Sequence, residues 1–340
     1  MSKLQLSLAL AVREQQNNLG RLVLDGTISP EGIEFVSSDV TSGELIWRQL
    51  RFQEFDVAQM SVATLLMLAA KGDSPWVALP IFPWRSFFHS FFQVREDSGI
   101  NGPEDLKDGK RIGVAEYMMT TAVWTRGVLR DEFGVQPEGL VWYQERIESL
   151  GRVLGYEPPK GVEVVQIPRE NSIAAMLANG ELHGAASTIP NTTLLDRSSI
   201  AIATDFRGTG LANLRPLFPD PTAENTRYFK KTGILPVNHC IGVRRSLVEK
   251  HPWIALNLYH AFLEAKNKLV AETRSQLDMY VQLGILPEDA RNTLGSDPYP
   301  YGIKANRLAL ETLARYVFED GRTAAQGDLE QIFAKHVLDL

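Results

Sequence analysis

Residues 113–127 read GVAEYMMTTAVWTRG, an apolar strand-like run that turns into a helix-like one. The turn itself carries Glu116, Tyr117, Met118, Met119, Thr120 and Thr121. In α/β proteins ligands bind beyond the carboxyl ends of strands. A helix that starts there offers unpaired N–H groups and about half a positive charge. A small carboxylate or phosphate suits such a turn, and the Thr120 and Thr121 hydroxyls add two donors, although Thr120 is also an ordinary N-cap residue. The glycines that let backbone wrap a nucleotide's phosphates are missing. Trp124 and Val128 then fall one turn apart, and Gly134 is the helix stop.

Around this turn, strand and helix patterns alternate. Leu4, Leu6, Leu8 and Leu10 alternate with Lys3, Gln5, Ser7 and Ala9, the period of a first β-strand. The same run is too interrupted for a secretory apolar core, so a soluble, cytoplasmic protein is expected. EGIEFVSSDV reads as a strand, SGELIWRQLRFQEF as a helix, DVAQMS as a short strand ending at Met60-Ser61, and VATLLMLAAKGD as a helix. WVALPIF and SFFHSFFQVRED read as extended segments. A second unit runs through GKRIGV, the helix from Thr120, LVWYQ, VEVVQIP and SIAAMLANGELHGAAS. Residues 206–232, rich in proline and polar groups, are expected to be irregular. GILPVNHCIGV is a strand that can return to the first unit, and the rest is helical. Such alternation implies parallel sheets. The expected architecture is α/β with two lobes, residues 1–96 plus 233–340 and residues 97–232. The chain crosses between them near residues 95 and 233 and ends in a helical segment.

Composition narrows the function. A net charge of −6 over 340 residues, with no Lys/Arg stripe, argues against nucleic acid as a partner. Cys240 is the single cysteine, so no disulfide can form within the chain and no multi-cysteine metal site can exist. No run approaches the ~18 apolar residues of a membrane span. There is no P-loop, no G-x-G-x-x-G after a strand and no G-x-S-x-G elbow. No metal or cofactor is called for, and homo-oligomerisation is left open.

The strand-end rule selects Arg13, Glu14, Met60, Ser61, Arg85, Glu116 to Thr121, Ser187, Thr188, Asn238 and His239. They come from both lobes, which places a site in the cleft between them. At Glu116 the helix dipole favours the carboxylate, whereas an anionic ligand or burial favours the neutral acid. His89 shares a face of its extended run with Phe87 and Phe91, so it is either a core histidine or a functional one. His239 lies just past ILPV at a crossing, with Cys240 on the opposite strand face, which argues against a Cys–His nucleophile pair. Arg85, after IFPW, is either a bidentate carboxylate clamp or a surface ion pair.

IFPWRSFFHS, DLKDGKRIGVAEYMMTTAVWTRGVLRDEFGV, TGILPVNHCIGVRRSLVEKHPWIALNLYHAFLEAK and YPYGIKANRLALETLARY resemble the 4,5-dihydroxyphthalate decarboxylase family. That family is related to the type II periplasmic solute-binding proteins. The resemblance implies a two-lobed Venus-flytrap fold and cofactor-free loss of carbon dioxide from a hydroxylated aromatic acid. It further implies a base at His239 or His89, Glu116 as the acid that protonates the ring, and Arg85 with the Thr120 helix end as carboxylate clamps. Tyr117 and Trp124 would pack on the ring, with Met60, Ser61, Thr121, Ser187 and Asn238 lining the cleft. The competing reading is a solute-binding or sensor protein that closes on a small organic anion without catalysis.

Overall fold

Two sheets organise the chain. The computed structural model describes residues 3–12, 19–72, 74–147, 151, 158–186, 213–292, 295, 297–321 and 329–340. The first sheet contains β1 (Leu4–Leu10), β2 (Ile33–Asp39), β3 (Val57–Ser61), β4 (Trp76–Arg85) and, from far along the chain, β11 (Val237–Arg244). Its order is β2-β1-β3-β11-β4. β1 runs parallel to β2 and β3, while β11 is antiparallel to both β3 and β4. The second sheet has the order β10-β5-β9-β6-β7-β8. It is built from β5 (Gln93–Arg95), β6 (Lys110–Val114), β7 (Leu140–Gln144), β8 (Glu163–Gln166), β9 (Gly184–Ala185) and β10 (Leu214–Pro216). The chain thus leaves the first sheet after Arg85 and rejoins it at Val237.

The helix of the opening stretch, α4 (Thr120–Phe133), is capped at its end by Gly134 in the left-handed conformation that glycine adopts without strain (φ 70°). Every residue from Thr120 to Leu129 is buried. The reason lies in what α4 packs against: α3 (Val62–Ala70) and α9 (Arg307–Glu319), both outside its own sheet. One apolar core therefore contains Val123, Trp124 and Val128 together with Leu65 and Leu66 of α3 and Leu310, Leu313 and Tyr316 of α9. A second core lies under the 30-residue α8 (Trp253–Gln282), and a third fills the lobe of the second sheet around Ile112, Tyr117 and Trp142. Polar ties reinforce the α4 seam. The buried Arg126 is paired with Asp320, and the Trp124 indole N–H donates to the Val237 carbonyl at 2.8 Å.

Two expectations need correction. SFFHSFF is not an extended run, because Phe88–Phe91 forms a 3-10 turn packed against α4 and α6 (Pro221–Thr232). Phe88 and Phe92 are buried by that packing. The described part of residues 206–232 is regular rather than irregular. Pro221 sits at the first position of α6, where its missing N–H costs nothing, and the Asp220 side chain accepts from the Ala223 N–H at 2.9 Å.

Candidate functional site

β3 delivers the first side chains. Its residues alternate between faces: Met60 enters the apolar core, whereas Gln59 and Ser61 share the other face. Ser61 ends the strand and caps α3, its Oγ accepting from the Thr64 N–H at 3.2 Å and the Thr64 hydroxyl at 3.0 Å. With both lone pairs engaged, Ser61 donates its own proton to Thr120 Oγ1, 2.6 Å away. That bond ties the end of β3 to the start of α4, and it leaves the Thr120 hydroxyl hydrogen for another acceptor. The cap of α4 is Met119, which makes no side-chain capping bond, so Thr120 is not the cap residue expected from sequence. Thr121 is 4% exposed, and its Oγ1 has no hydrogen-bond partner among the described residues. A buried hydroxyl at a helix N-terminus without a partner is an opening for an acceptor.

β11 brings His239 opposite Ser61 on one side and opposite Trp84 on the other. The His239 ring meets Trp84 edge-on, with centroids 4.9 Å apart, and its Nδ1 lies 2.5 Å from Gln59 Nε2. Asn238 is buried beside it, and Cys240 enters the core, where burial pushes its thiol well above the usual range.

Glu116 lies one turn before α4, the Met119 N–H donating to its carbonyl at 3.1 Å. Its carboxylate is buried and accepts from Arg146 Nη1 at 2.5 Å. Arg146 follows the end of β7, and its backbone N–H donates to Ala115 at 2.8 Å, which fixes the pair across adjacent strand ends. A buried pair of this kind is mutually dependent, since either charge alone would be costly to bury.

The remaining candidates sit elsewhere. Tyr117 points into the core of the second lobe, its ring 3.6 Å beneath the Arg126 guanidinium and edge-on to Trp142. Trp124 is spent on the seam with α9. His89 is fully buried between Phe218 and Tyr228, and its Nε2 lies 3.1 Å from Glu224. Burial pushes the Glu224 carboxyl up, but hydrogen bonds from Arg227 and His89 outweigh that and bring it down to about 2. Arg85 is buried against Phe82 and donates to the Pro300 carbonyl, and burial lowers its guanidinium to about 10. Ser187, with Arg13, Glu14 and Thr188, lies outside the described residues.

Ser61, Thr120, Thr121 and His239 are thus brought together, with Glu116 one turn away, whereas Met60, Arg85, His89, Tyr117 and Trp124 are engaged elsewhere. Gln59 and Arg146 were missed from sequence. A glutamine inside the otherwise apolar run VAQMS marks the first, and the strand-end rule applied to LVWYQER marks the second.

Two α/β lobes whose polar side chains meet at strand ends define the fold class of the periplasmic solute-binding proteins. The periplasmic aliphatic sulphonate binding protein SsuA from Escherichia coli superposes with a TM-score of 0.53, covering 97% of this chain and 91% of its own at 13% identity. No family model matches the chain. A 4,5-dihydroxyphthalate decarboxylase from Comamonas testosteroni is 32% identical over 312 residues, 90% of this chain and 89% of that protein. One from Pseudomonas putida is 33% identical over 186 residues, 54% of this chain and 69% of that protein. The chain belongs to the 4,5-dihydroxyphthalate decarboxylase family. Among the described residues no helix is long and apolar enough to cross a membrane.

Proposed function

We propose that this protein is a carboxy-lyase that needs no cofactor and acts on a hydroxylated aromatic acid of the 4,5-dihydroxyphthalate type at the meeting point of the two lobes. The observation that carries this reading is the start of α4. There the buried, unpartnered Thr121 hydroxyl, the Thr120 hydroxyl held by Ser61 and the first helical amides together suit a carboxylate. His239, from the other lobe, addresses oxygens at the far side of the ring, while Ser61 holds the Thr120 hydroxyl in place.

The chemistry needs a proton at the ring carbon that bears the departing carboxylate, while a hydroxyl para to it feeds electrons into the ring. The carbon–carbon bond then breaks, carbon dioxide leaves, and the bonding pair restores the aromatic ring. An incoming dicarboxylate competes with Glu116 for Arg146, and Glu116 released from that pair is our candidate to carry the proton. Arg85 is held by Pro300 and stands as a secondary carboxylate clamp at most. Such a catabolic reaction belongs in the cytoplasm, where subcellular fractionation should find the protein.

The test is incubation of the purified protein with 4,5-dihydroxyphthalate, following carbon dioxide, alongside Glu116→Gln checked for folding by circular dichroism. Release by the wild type and its loss in a folded Glu116→Gln support the reading. The likeness to sulphonate-binding proteins favours a second one, binding without catalysis. Thermal stabilisation by the acid with no carbon dioxide would establish that one instead.

A further inference from the structure

Ser61 caps α3 and Thr64 is the third residue of that helix; both are buried. A helical threonine commonly turns its hydroxyl onto a backbone carbonyl one turn back. Thr64 instead donates to Ser61 Oγ at 3.0 Å, and Ser61 Oγ stands 2.6 Å from Thr120 Oγ1. Three hydroxyls therefore form one chain from lobe to lobe. They carry three hydrogens, the two bonds use two of them, and one hydrogen is left at an end. If the chain ran from Thr120 toward Thr64, that hydrogen would lie on Thr64, where no acceptor other than Ser61 stands among the described residues. A buried donor left without an acceptor carries the full cost of its desolvation. With the chain running from Thr64 toward Thr120, the spare hydrogen is on Thr120, in the first turn of α4 beside the partnerless Thr121 hydroxyl. The Thr64 N–H fills the other lone pair of Ser61 Oγ at 3.2 Å and so holds the direction.

We infer that Thr64 is a positioning residue that fixes the direction of this chain, so that Thr120 meets the ligand as a hydrogen-bond donor. Thr64 acts through Ser61, and no proton is transferred. The consequence is specificity. An ionised carboxylate accepts the Thr120 hydrogen at the helix end, where negative charge is favoured. A carboxamide NH2 or the O–H of a neutral acid would set a second donor against that hydrogen. The start of α4 thereby selects the ionised acid. This deepens the proposed function and rests on it only for the identity of the acid that is bound.

The experiment has two arms. Neutron diffraction from crystals of the whole chain grown in heavy water locates the hydroxyl deuterium atoms. The Thr64 deuterium is expected on the line to Ser61 Oγ and the Ser61 deuterium on the line to Thr120 Oγ1. A Thr120 deuterium pointing at Ser61 would overturn the inference. In the second arm, calorimetry measures binding of 4,5-dihydroxyphthalate and of its diamide, 4,5-dihydroxyphthalamide, to the wild type, Thr64→Val and Thr64→Ser. Thr64→Val keeps the shape and the backbone N–H but removes the hydroxyl. Its affinity for the acid should fall about fivefold or more while that for the diamide holds, and Thr64→Ser should restore the wild-type ratio. A Thr64→Val protein with native circular dichroism and an unchanged ratio would overturn the inference, as would a Thr64→Ser ratio that matches Thr64→Val. If Thr64→Val does not fold, the neutron result decides by itself. Failure of the wild type to bind or turn over the acid would remove the decarboxylase reading and leave the hydroxyl positions to be judged alone, so the two failures are distinguishable.

Discussion

Gly127→Ala sets two effects of opposite sign against each other. Gly127 lies inside α4, away from its ends, where alanine is favoured over glycine by about 1 kcal/mol. Helix propensity alone therefore expects a more stable protein. The structure expects the reverse, because a Cβ built at Gly127 would stand 2.2, 2.3 and 2.4 Å from three ring carbons of Tyr316. That ring cannot swing aside. It is 2% exposed, edge-on to Trp124 at 5.5 Å, and its hydroxyl donates to Asp131 at 2.8 Å. Overpacking a filled site costs about 1–3 kcal/mol, and with three rigid atoms inside contact distance the upper end applies. After the propensity gain, a net loss of about 2 kcal/mol is expected. Urea unfolding followed by fluorescence measures it as a lower midpoint at unchanged slope. In a Tyr316→Ala background the alanine should become neutral or stabilising, which a double-mutant cycle reads as coupling. A midpoint raised by Gly127→Ala alone would refute the packing of α4 on α9.

Other outcomes follow from the same contacts. Asp320→Asn removes the carboxylate paired with the buried Arg126 and should cost about 3–5 kcal/mol, whereas replacing both residues by apolar ones should cost less. Glu224 is held at about 2 against an ordinary 4.5, so its contribution is complete above the unfolded value and is lost as pH falls through the folded one. A shift of that size corresponds to about 3 kcal/mol. Glu224→Gln should therefore be less stable at pH 7 and lose less of its stability on acidification, as acid titrations of the unfolding midpoint would show; parallel acid limbs in both proteins would contradict this.

Much of the fold could be read before the structure because short-range chemistry dictates it. The Leu4–Leu10 alternation became β1, Gly134 ended α4, and the GILPVNHCIGV strand returned to the first sheet between β3 and β4. SFFHSFF misled because a run of aromatics has the same local pattern in a strand as in a 3-10 turn, and only α4 and α6, distant in sequence, decide between them. The meeting of strand ends was legible where position alone matters: Ser61 does reach Thr120, and His239 does stand opposite Ser61. The site was illegible where side-chain direction matters. Met60 and Ser61 are neighbours on opposite faces, and nothing local says that Tyr117 lies under Arg126. Arg146 was passed over because its partner Glu116 is 30 residues away and meets it only when β6 and β7 pair.

The most direct test of the proposed chemistry is turnover of 4,5-dihydroxyphthalate in deuterated water, with carbon dioxide and the aromatic product quantified together by mass spectrometry. One carbon dioxide per product, with a single deuterium on the carbon that lost its carboxylate, is the expected result. Intact acid recovered after it has demonstrably bound the protein would contradict the assignment and leave a binding protein in its place.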